Sequence, residues 1–342
     1  MISDQNGFNK NTNLQVIMKS IPSISNEIDE DKIFEIINKN FSKLAPAYFS
    51  LVTNWLIRSY SEYRNIEKFI ILIYLINKDL ILFRKNGIII DYDTFYKDKS
   101  LEIPKINISD ISRDLLIPKE SVRRKIEALE KERVIKKTGK KIFIERSGYI
   151  TAQAKKTLEE FSILVSKFSE ILASEKISNR AFNVSEISNS IKENFSFCWY
   201  HFYKFLFVFT NRWKTDTKTL DLETICIGFI VLINTVQNKN FKNKDFDREI
   251  FFKEVKKNNQ VGMNAFSISD ITGIPRATVV RKLEFLIKNK FLNIDKKKLY
   301  SFSMNIKTKQ FKIIKKLQDK NMISFSSFLH RVFNQINLIS TN

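Results

Sequence analysis

The sequence has little cysteine, histidine or glycine, and each shortage excludes a class of protein or site. Two cysteines in 342 residues are too few for a disulfide framework or a cysteine-rich zinc module. Seven glycines lie far apart, so neither glycine-rich phosphate-binding pattern, GxGxxG or GxxxxGK[ST], occurs. Two histidines leave little for acid–base catalysis. We therefore expect a protein that is not an enzyme and that holds no metal or cofactor.

Long hydrophobic runs are missing as well. The longest, residues 225–236, is shorter than the roughly 20 residues that an α-helix needs to cross a bilayer. Residues 1–27 are polar and lack the apolar segment of a secretory signal, so we expect them to form a mobile N-terminal tail. These features predict a protein of the reducing cytoplasm.

Positive charge is what the sequence has in excess. It carries 58 Lys and Arg residues against 37 Asp and Glu, a formal net charge of +21, and 43% of its residues are hydrophobic. That hydrophobic share is enough to fill a core, so the chain is not a disordered basic tail. The charge favours a polyanionic partner, with nucleic acid the first candidate and an anionic membrane surface the second.

One segment of the sequence occurs twice, at a constant spacing of 157 residues. Residues 117–129 read IPKESVRRKIEAL, and residues 274–286 read IPRATVVRKLEFL. Shorter matches continue at the same spacing on both sides. We interpret the pattern as a tandem duplication, with one unit at residues 28–178 and the other at 182–342.

Both units have the same predicted order of elements. Two apolar helical segments come first, followed by a short helix, a turn, a second helix (residues 118–131 or 275–288) and a lysine-rich hairpin. Gly273 suits a positive φ in the turn of the second unit. In the first unit Leu116 occupies the equivalent position, so we expect the short helix before the turn to be longer there.

These segments resemble a known family of regulators. Two segments, residues 274–283 and 117–129, resemble the start of the second helix of the helix-turn-helix in MarR-like and IclR-like winged-helix transcriptional regulators. Residues 150–158 are similar to the start of the long helix that follows the hairpin in MarR-like proteins. The resemblance implies a mainly α fold with small β-hairpin wings, arranged as two tandem winged helix-turn-helix units. It also implies a fused pseudo-dimer, in which helices 151–172 and 307–337 pair the halves.

In this interpretation the two second helices enter major grooves of double-stranded DNA. Arg124 and Arg281 lie opposite the buried face of their helices and suit bidentate contacts with guanine. The hairpin lysines suit contacts with the phosphates of the DNA backbone. The expected DNA-binding residues are Lys119, Glu120, Ser121, Arg123, Arg124, Lys137, Lys140 and Lys141 in the first unit, and Arg276, Thr278, Arg281, Lys282, Lys296, Lys297 and Lys298 in the second.

The sequence thus predicts a sequence-specific, nucleoid-associated transcriptional regulator that works as a monomeric pseudo-dimer or a homodimer. Three alternatives stay open: a plasmid- or phage-type replication initiator with two winged helices, a winged-helix interaction module without a DNA role, and a nuclease that uses carboxylates alone.

Residues 198–201 (CWYH) bring a cysteine and a histidine to close spacing, whereas the second such pair, Cys226 and His330, lies far apart. Their apolar neighbours favour core packing over a metal site, and the aromatic residues around them are also compatible with a cavity for an unidentified small-molecule effector.

Overall fold

The computed structural model describes residues 28–103, 107–139, 141–145, 148–217, 220–236, 245–257, 261–303 and 308–340. Within these residues the chain forms fourteen helices and five short strands, so the expectation of a mainly helical fold with small antiparallel hairpins is confirmed. The N-terminal tail and Lys140 lie outside the described residues. None of the described helices combines the length and the apolar character needed to cross a membrane.

The first half contains seven of these helices and three strands. Their order along the chain is α1 (Glu30–Lys39), α2 (Phe41–Tyr63), α3 (Ile66–Lys85), α4 (Tyr92–Tyr96), β1 (Ser100–Ile103), α5 (Ile108–Leu115), α6 (Lys119–Lys131), β2 (Ile135–Thr138), β3 (Lys141–Glu145) and α7 (Gly148–Ser174).

The second half contains the other seven helices and two strands. They are α8 (Val184–Glu193), α9 (Phe195–Thr217), α10 (Leu222–Val236), α11 (Arg248–Lys257), α12 (Ala265–Thr272), α13 (Arg276–Lys288), β4 (Leu292–Ile294), β5 (Tyr300–Phe302) and α14 (Lys309–Ser340). Helices α5, α6, α12 and α13 keep the spacing of 157 residues that the sequence shows.

Equivalent helices also begin with equivalent caps. Asp29 accepts backbone hydrogen bonds at the start of α1, and Asn183 forms a capping box with Glu186 at the start of α8. Such caps satisfy N–H groups that the helix itself leaves unpaired. The residues that cap the first helix of each half are therefore chemically alike.

Strand β1 was not predicted from the sequence. It pairs antiparallel with β3, which pairs with β2, so the first half has a three-stranded sheet in the order β1-β3-β2. In the second half β4 pairs with β5, and a single bridge between Met263 and Tyr300 takes the place of the third strand.

The core runs through both halves and is rich in aromatic rings. Trp55, Trp199, Phe161, Phe202 and Phe209 are all fully buried. Aromatic pairs join the long helices α7 and α14: the ring centroids of Phe161 and Phe328 are 5.1 Å apart, and those of Phe168 and Phe333 are 5.6 Å apart. Burial of such large apolar surfaces dominates the stability of a core.

Contacts between the halves occur in matched pairs. Helix α2 packs on α10 as α9 packs on α3, and α1 packs on α14 as α8 packs on α7. Hydrogen bonds follow the same rule. The backbone N–H of Ser42 donates to the carbonyl of Phe246, and the hydroxyl of Ser42 accepts from the N–H of Phe246; Ser196 makes both bonds with Ile90. The two halves are therefore related by an approximate twofold arrangement.

A cavity of about 990 Å³ departs from this symmetry. It lies in the second half between α10, α11, α13, the β4–β5 hairpin and α14. Gly228 lines it, at the position where the 157-residue spacing places the fully buried Ile71 in the first half. A Cβ atom on Gly228 would meet no atom within 4 Å, so a missing side chain contributes to the cavity.

Candidate nucleic-acid interface

The turn between α5 and α6 has the same conformation as its counterpart between α12 and α13. Leu116 has φ 52° and ψ 45°, and Gly273 has φ 68° and ψ 5°. The predicted longer helix in the first half is therefore wrong: α5 ends at Leu115, and Leu116 adopts the left-handed conformation that glycine accommodates more easily.

Burial of the following residue explains why Leu116 accepts this conformation. Ile117 and Ile274, which follow the two turns, are both fully buried, whereas the side chain of Leu116 is 50% exposed. Packing of Ile117 fixes the direction of the chain, and the backbone strain at Leu116 is a local cost of about 1 kcal/mol.

The second helices, α6 and α13, each have one buried and one exposed face. Val122, Ile126 and Leu129 of α6 are buried, as are Val279, Leu283 and Leu286 of α13. On the opposite face the exposed residues include Lys119, Glu120, Arg123 and Arg124 of α6, and Arg276 and Arg281 of α13. Ser121 and Thr278 lie at the margin and are half-buried. The candidate base-reading side chains therefore share the solvent face of their helices.

Lys282 does not lie free on the DNA-binding surface, where we expected it. Its Nζ is 2.6 Å from Oδ2 of Asp221 and also donates to the hydroxyl of Thr224, and its side chain is only 11% exposed. Burial alone would raise the pKa of Asp221, but hydrogen bonds from Lys282 and Thr224 outweigh it and lower that pKa. An ammonium group held in this way fastens α13 to the start of α10, so we remove Lys282 from the proposed surface.

Lys125 does the same in the first half. Its Nζ is 3.1 Å from Oε2 of Glu67 at the start of α3. Glu67 also pairs with Lys214 of α9, at 3.0 Å. Burial alone would raise the pKa of Glu67, but the two lysines lower it below its ordinary value. The lysine that follows each outward arginine is thus a structural contact in both halves.

Both second helices lie at one end of the molecule. Near the end of α9, the side chains of Asn211 and Lys214 donate to the backbone carbonyls of Asp114 and Leu115, just before the turn of the first half. In addition, Arg64 donates to the carbonyl of Gly273 in the turn of the other half (3.0 Å). The two helix–turn–helix pairs therefore lie at the same end of the approximate twofold axis that relates the halves.

The hairpins that follow α6 and α13 differ in how freely their lysines face solvent. Lys137 pairs with Glu130 at 2.8 Å, and Lys141 pairs with Glu102 at 2.8 Å. In the second half Lys296, Lys297 and Lys298 form the exposed turn, in which Asp295 accepts the backbone N–H groups of Lys297 and Leu299. The second hairpin therefore presents three consecutive exposed lysines, whereas two lysines of the first hairpin are paired with carboxylates.

Two further basic residues belong to this surface and were not predicted. Arg133 and Lys290 follow α6 and α13, are exposed, and have φ values of 58° and 60°. They are separated by the same 157 residues as the rest of the repeat, so that spacing would have identified them. Each places a cation between the second helix and the hairpin.

The residues around Cys198 form part of the core, as their apolar neighbours indicate. Cys198 and Trp199 are buried, and Nε2 of His201 lies 3.2 Å from Nη1 of Arg84. Burial, together with the charges of Arg84, Lys204 and Arg331, lowers the pKa of His201 to about 3, so its ring is neutral. Among the described residues, no three His, Cys, Asp or Glu side chains lie close enough to hold a metal ion.

Comparison with known proteins gives no match: no family model, no curated protein and no solved structure is significantly similar to this chain. The function of the surface must therefore be argued from its own geometry.

Proposed function

We propose that this chain is a sequence-specific double-stranded DNA-binding protein, a transcriptional regulator built as two winged helix-turn-helix units in one polypeptide. In each unit the second helix, α6 or α13, enters a major groove, and the hairpin that follows contacts the DNA backbone. The observation that carries the proposal is the placement of two such helices, each with an outward arginine, on one side of an approximate twofold arrangement.

Arg124 and Arg281 are the proposed base-reading residues. Each occupies the same position on its helix, opposite the buried face, and a guanidinium there can make two hydrogen bonds with guanine. Ser121 and Thr278, one turn earlier, are placed to bind phosphate or a base edge. Because Lys125 and Lys282 fasten the helices to α3 and α10, the arginines are held on a rigid support.

The hairpin lysines supply the sequence-independent part of the affinity. Lys296, Lys297 and Lys298 are exposed and lie in a turn of fixed shape, whereas Lys137 and Lys141 must first leave Glu130 and Glu102. The second unit is therefore expected to contribute more of the phosphate contacts. Each such contact releases counterions, so the affinity falls as salt rises.

The matched contacts between the halves support a chain that works alone. Two units already paired within one polypeptide offer two helices without a second copy, and we expect a species of 40.3 kDa in light scattering at micromolar concentration. A stable species of twice that mass would contradict this part of the proposal.

Titration of the full chain with a 30-base-pair duplex of random sequence, at 50 to 300 mM KCl, tests DNA binding itself. We expect an affinity that falls steeply with salt. An affinity that does not depend on salt, or no retention at 50 mM KCl, would refute the proposed function. Selection from genomic fragments then separates the biological roles, because enrichment of repeated origin elements would contradict a promoter-binding regulator.

Two variants separate base reading from phosphate binding. Arg281→Ala is expected to cost about 1–3 kcal/mol at the selected site and to relax its base preference. Lys297→Ala is expected to weaken all duplexes about equally and to reduce the salt slope by about one. Lys156→Ala, on the exposed face of α7, is a matched control for lost charge. Equal losses on all sequences for Arg281→Ala would contradict its base-reading role.

A further inference from the structure

The DNA-facing ends of the two second helices differ at only two positions in chemical type. Aligned at the spacing of 157 residues, the first six residues of α6 read KESVRR and those of α13 read RATVVR. Four positions keep their chemistry, including the outward arginine at the sixth. The second position changes from Glu120 to Ala277, and the fifth changes from Arg123 to Val280.

Core packing does not account for this difference. Glu120 and Arg123 are both exposed and form an ion pair with each other, with Arg123 Nη2 and Glu120 Oε1 3.2 Å apart. Ala277 is exposed and Val280 is half-buried. An exposed ion pair three residues apart on a helix contributes only about 0.3–0.5 kcal/mol. The two positions therefore affect what the helix presents to a partner more than they affect the fold.

The two pairs of side chains suit different bases. A carboxylate accepts a hydrogen bond from the N4 amino group of cytosine, and a guanidinium donates to guanine, so Glu120 and Arg123 suit a G·C-containing half-site. Methyl groups such as those of Ala277 and Val280 make apolar contacts with the C5-methyl group of thymine. Arg124 and Arg281, common to both helices, suit a guanine in each half-site.

We propose that the two units bind unlike half-sites, so that the DNA target of this chain is non-palindromic; this inference rests on the proposed function. The α6 half-site contains G·C pairs opposite Glu120 and Arg123, and the α13 half-site contains thymine opposite Ala277 and Val280. A homodimer presents two copies of one reading surface. A single chain with two units can present two different surfaces, and Glu120 and Arg123 are the specificity-determining residues that make them different.

The test is a selection from randomised duplexes with the full chain and with E120A/R123V, which gives α6 the outward chemistry of α13. For the wild-type chain we expect a motif with two unlike half-sites. For the variant we expect two alike half-sites, each matching the thymine-containing half of the wild-type motif, and an affinity for the wild-type site lowered about tenfold or more. The reciprocal variant A277E/V280R is expected to give two G·C-containing half-sites.

Thermal unfolding of each variant shows whether it is folded, and exposed substitutions in E120A/R123V are expected to leave the midpoint nearly unchanged. K156V/E159A on α7 is the matched control. It also replaces one basic and one acidic side chain, spaced three residues apart on the exposed face of a helix. The control is expected to select the wild-type motif.

The outcomes separate this inference from the proposed function. A palindromic wild-type motif, or an E120A/R123V motif identical to that of the wild type, would overturn the inference and leave DNA binding intact. If the wild-type chain enriches no sequence and its retention on duplex DNA does not depend on salt, the proposed function fails, and the inference fails with it.

Discussion

Burial of His201 predicts a fold that loses stability in mild acid. The side chain lies within α9 and is 7% exposed. Burial first, and then the positive charges of Arg84, Lys204 and Arg331, lower its pKa from 6.5 to about 3. The ring therefore stays neutral in the folded chain at pH values where an exposed histidine is charged, and Nε2 can accept a hydrogen bond from Arg84.

The magnitude follows from the difference in pKa between the two states. Above pH 6.5 the ring is neutral in both, and it contributes nothing to the pH dependence. As the pH falls below that value, the unfolded chain binds a proton and the folded chain does not, so the free energy of unfolding falls by about 1.4 kcal/mol per pH unit. Between pH 7 and pH 5 the loss is about 2 kcal/mol, and it continues until the pH nears the folded-state pKa.

The assay compares urea unfolding of the wild-type chain and of His201→Gln at pH 7 and pH 5. Glutamine does not titrate in this range, and its amide oxygen keeps an acceptor near Arg84. Carboxylates titrate in both proteins, so their contributions cancel in the difference. We expect the variant to lose about 2 kcal/mol less than the wild type between the two pH values. Equal losses would refute the conclusion that a neutral His201 is buried in the folded chain.

Three further changes test other features. Leu116→Gly is expected to raise the free energy of unfolding by about 0.5–1 kcal/mol, because it relieves a left-handed leucine; a lower urea midpoint would contradict this. Gly228→Ala should add about 0.5–1 kcal/mol through helix propensity, since its Cβ meets no atom within 4 Å, and a lower thermal midpoint would contradict the open space. Lys282→Met should lower stability by about 1 kcal/mol while leaving the selected DNA motif unchanged; a relaxed motif would return Lys282 to the DNA surface.

The second helices could be predicted well because their signal is local and occurs twice. Residues 118–131 and 275–288 were predicted, and the helices are Lys119–Lys131 and Arg276–Lys288. The buried positions follow a helical period, and each proline marks the start. Because the motif occurs twice at one spacing, each copy supported the helix assignment made for the other.

Other features depend on contacts between distant residues and gave no local signal. The partner of Lys282 is Asp221, 61 residues earlier, so the local sequence gave no sign of this contact and Lys282 was expected among the DNA-binding residues. Leucine disfavours the left-handed conformation, so residue 116 was expected to be helical, but burial of Ile117 decided the turn. Strand β1 has four residues and becomes a strand only through its pairing with β3.

The packing of α1 on α14 has a consequence for the order in which the chain is made. Ile28 hydrogen-bonds with Asn334, 306 residues later, and its carbonyl lies 2.7 Å from Nε2 of His330. At about 5–20 residues per second, a ribosome needs roughly 15–60 s to synthesise that length. During this time α1, whose buried residues are Ile33, Ile36 and Ile37, can pack on α2 but lacks its contacts with α14. Helix α1 therefore reaches its final contacts only after α14 has been synthesised.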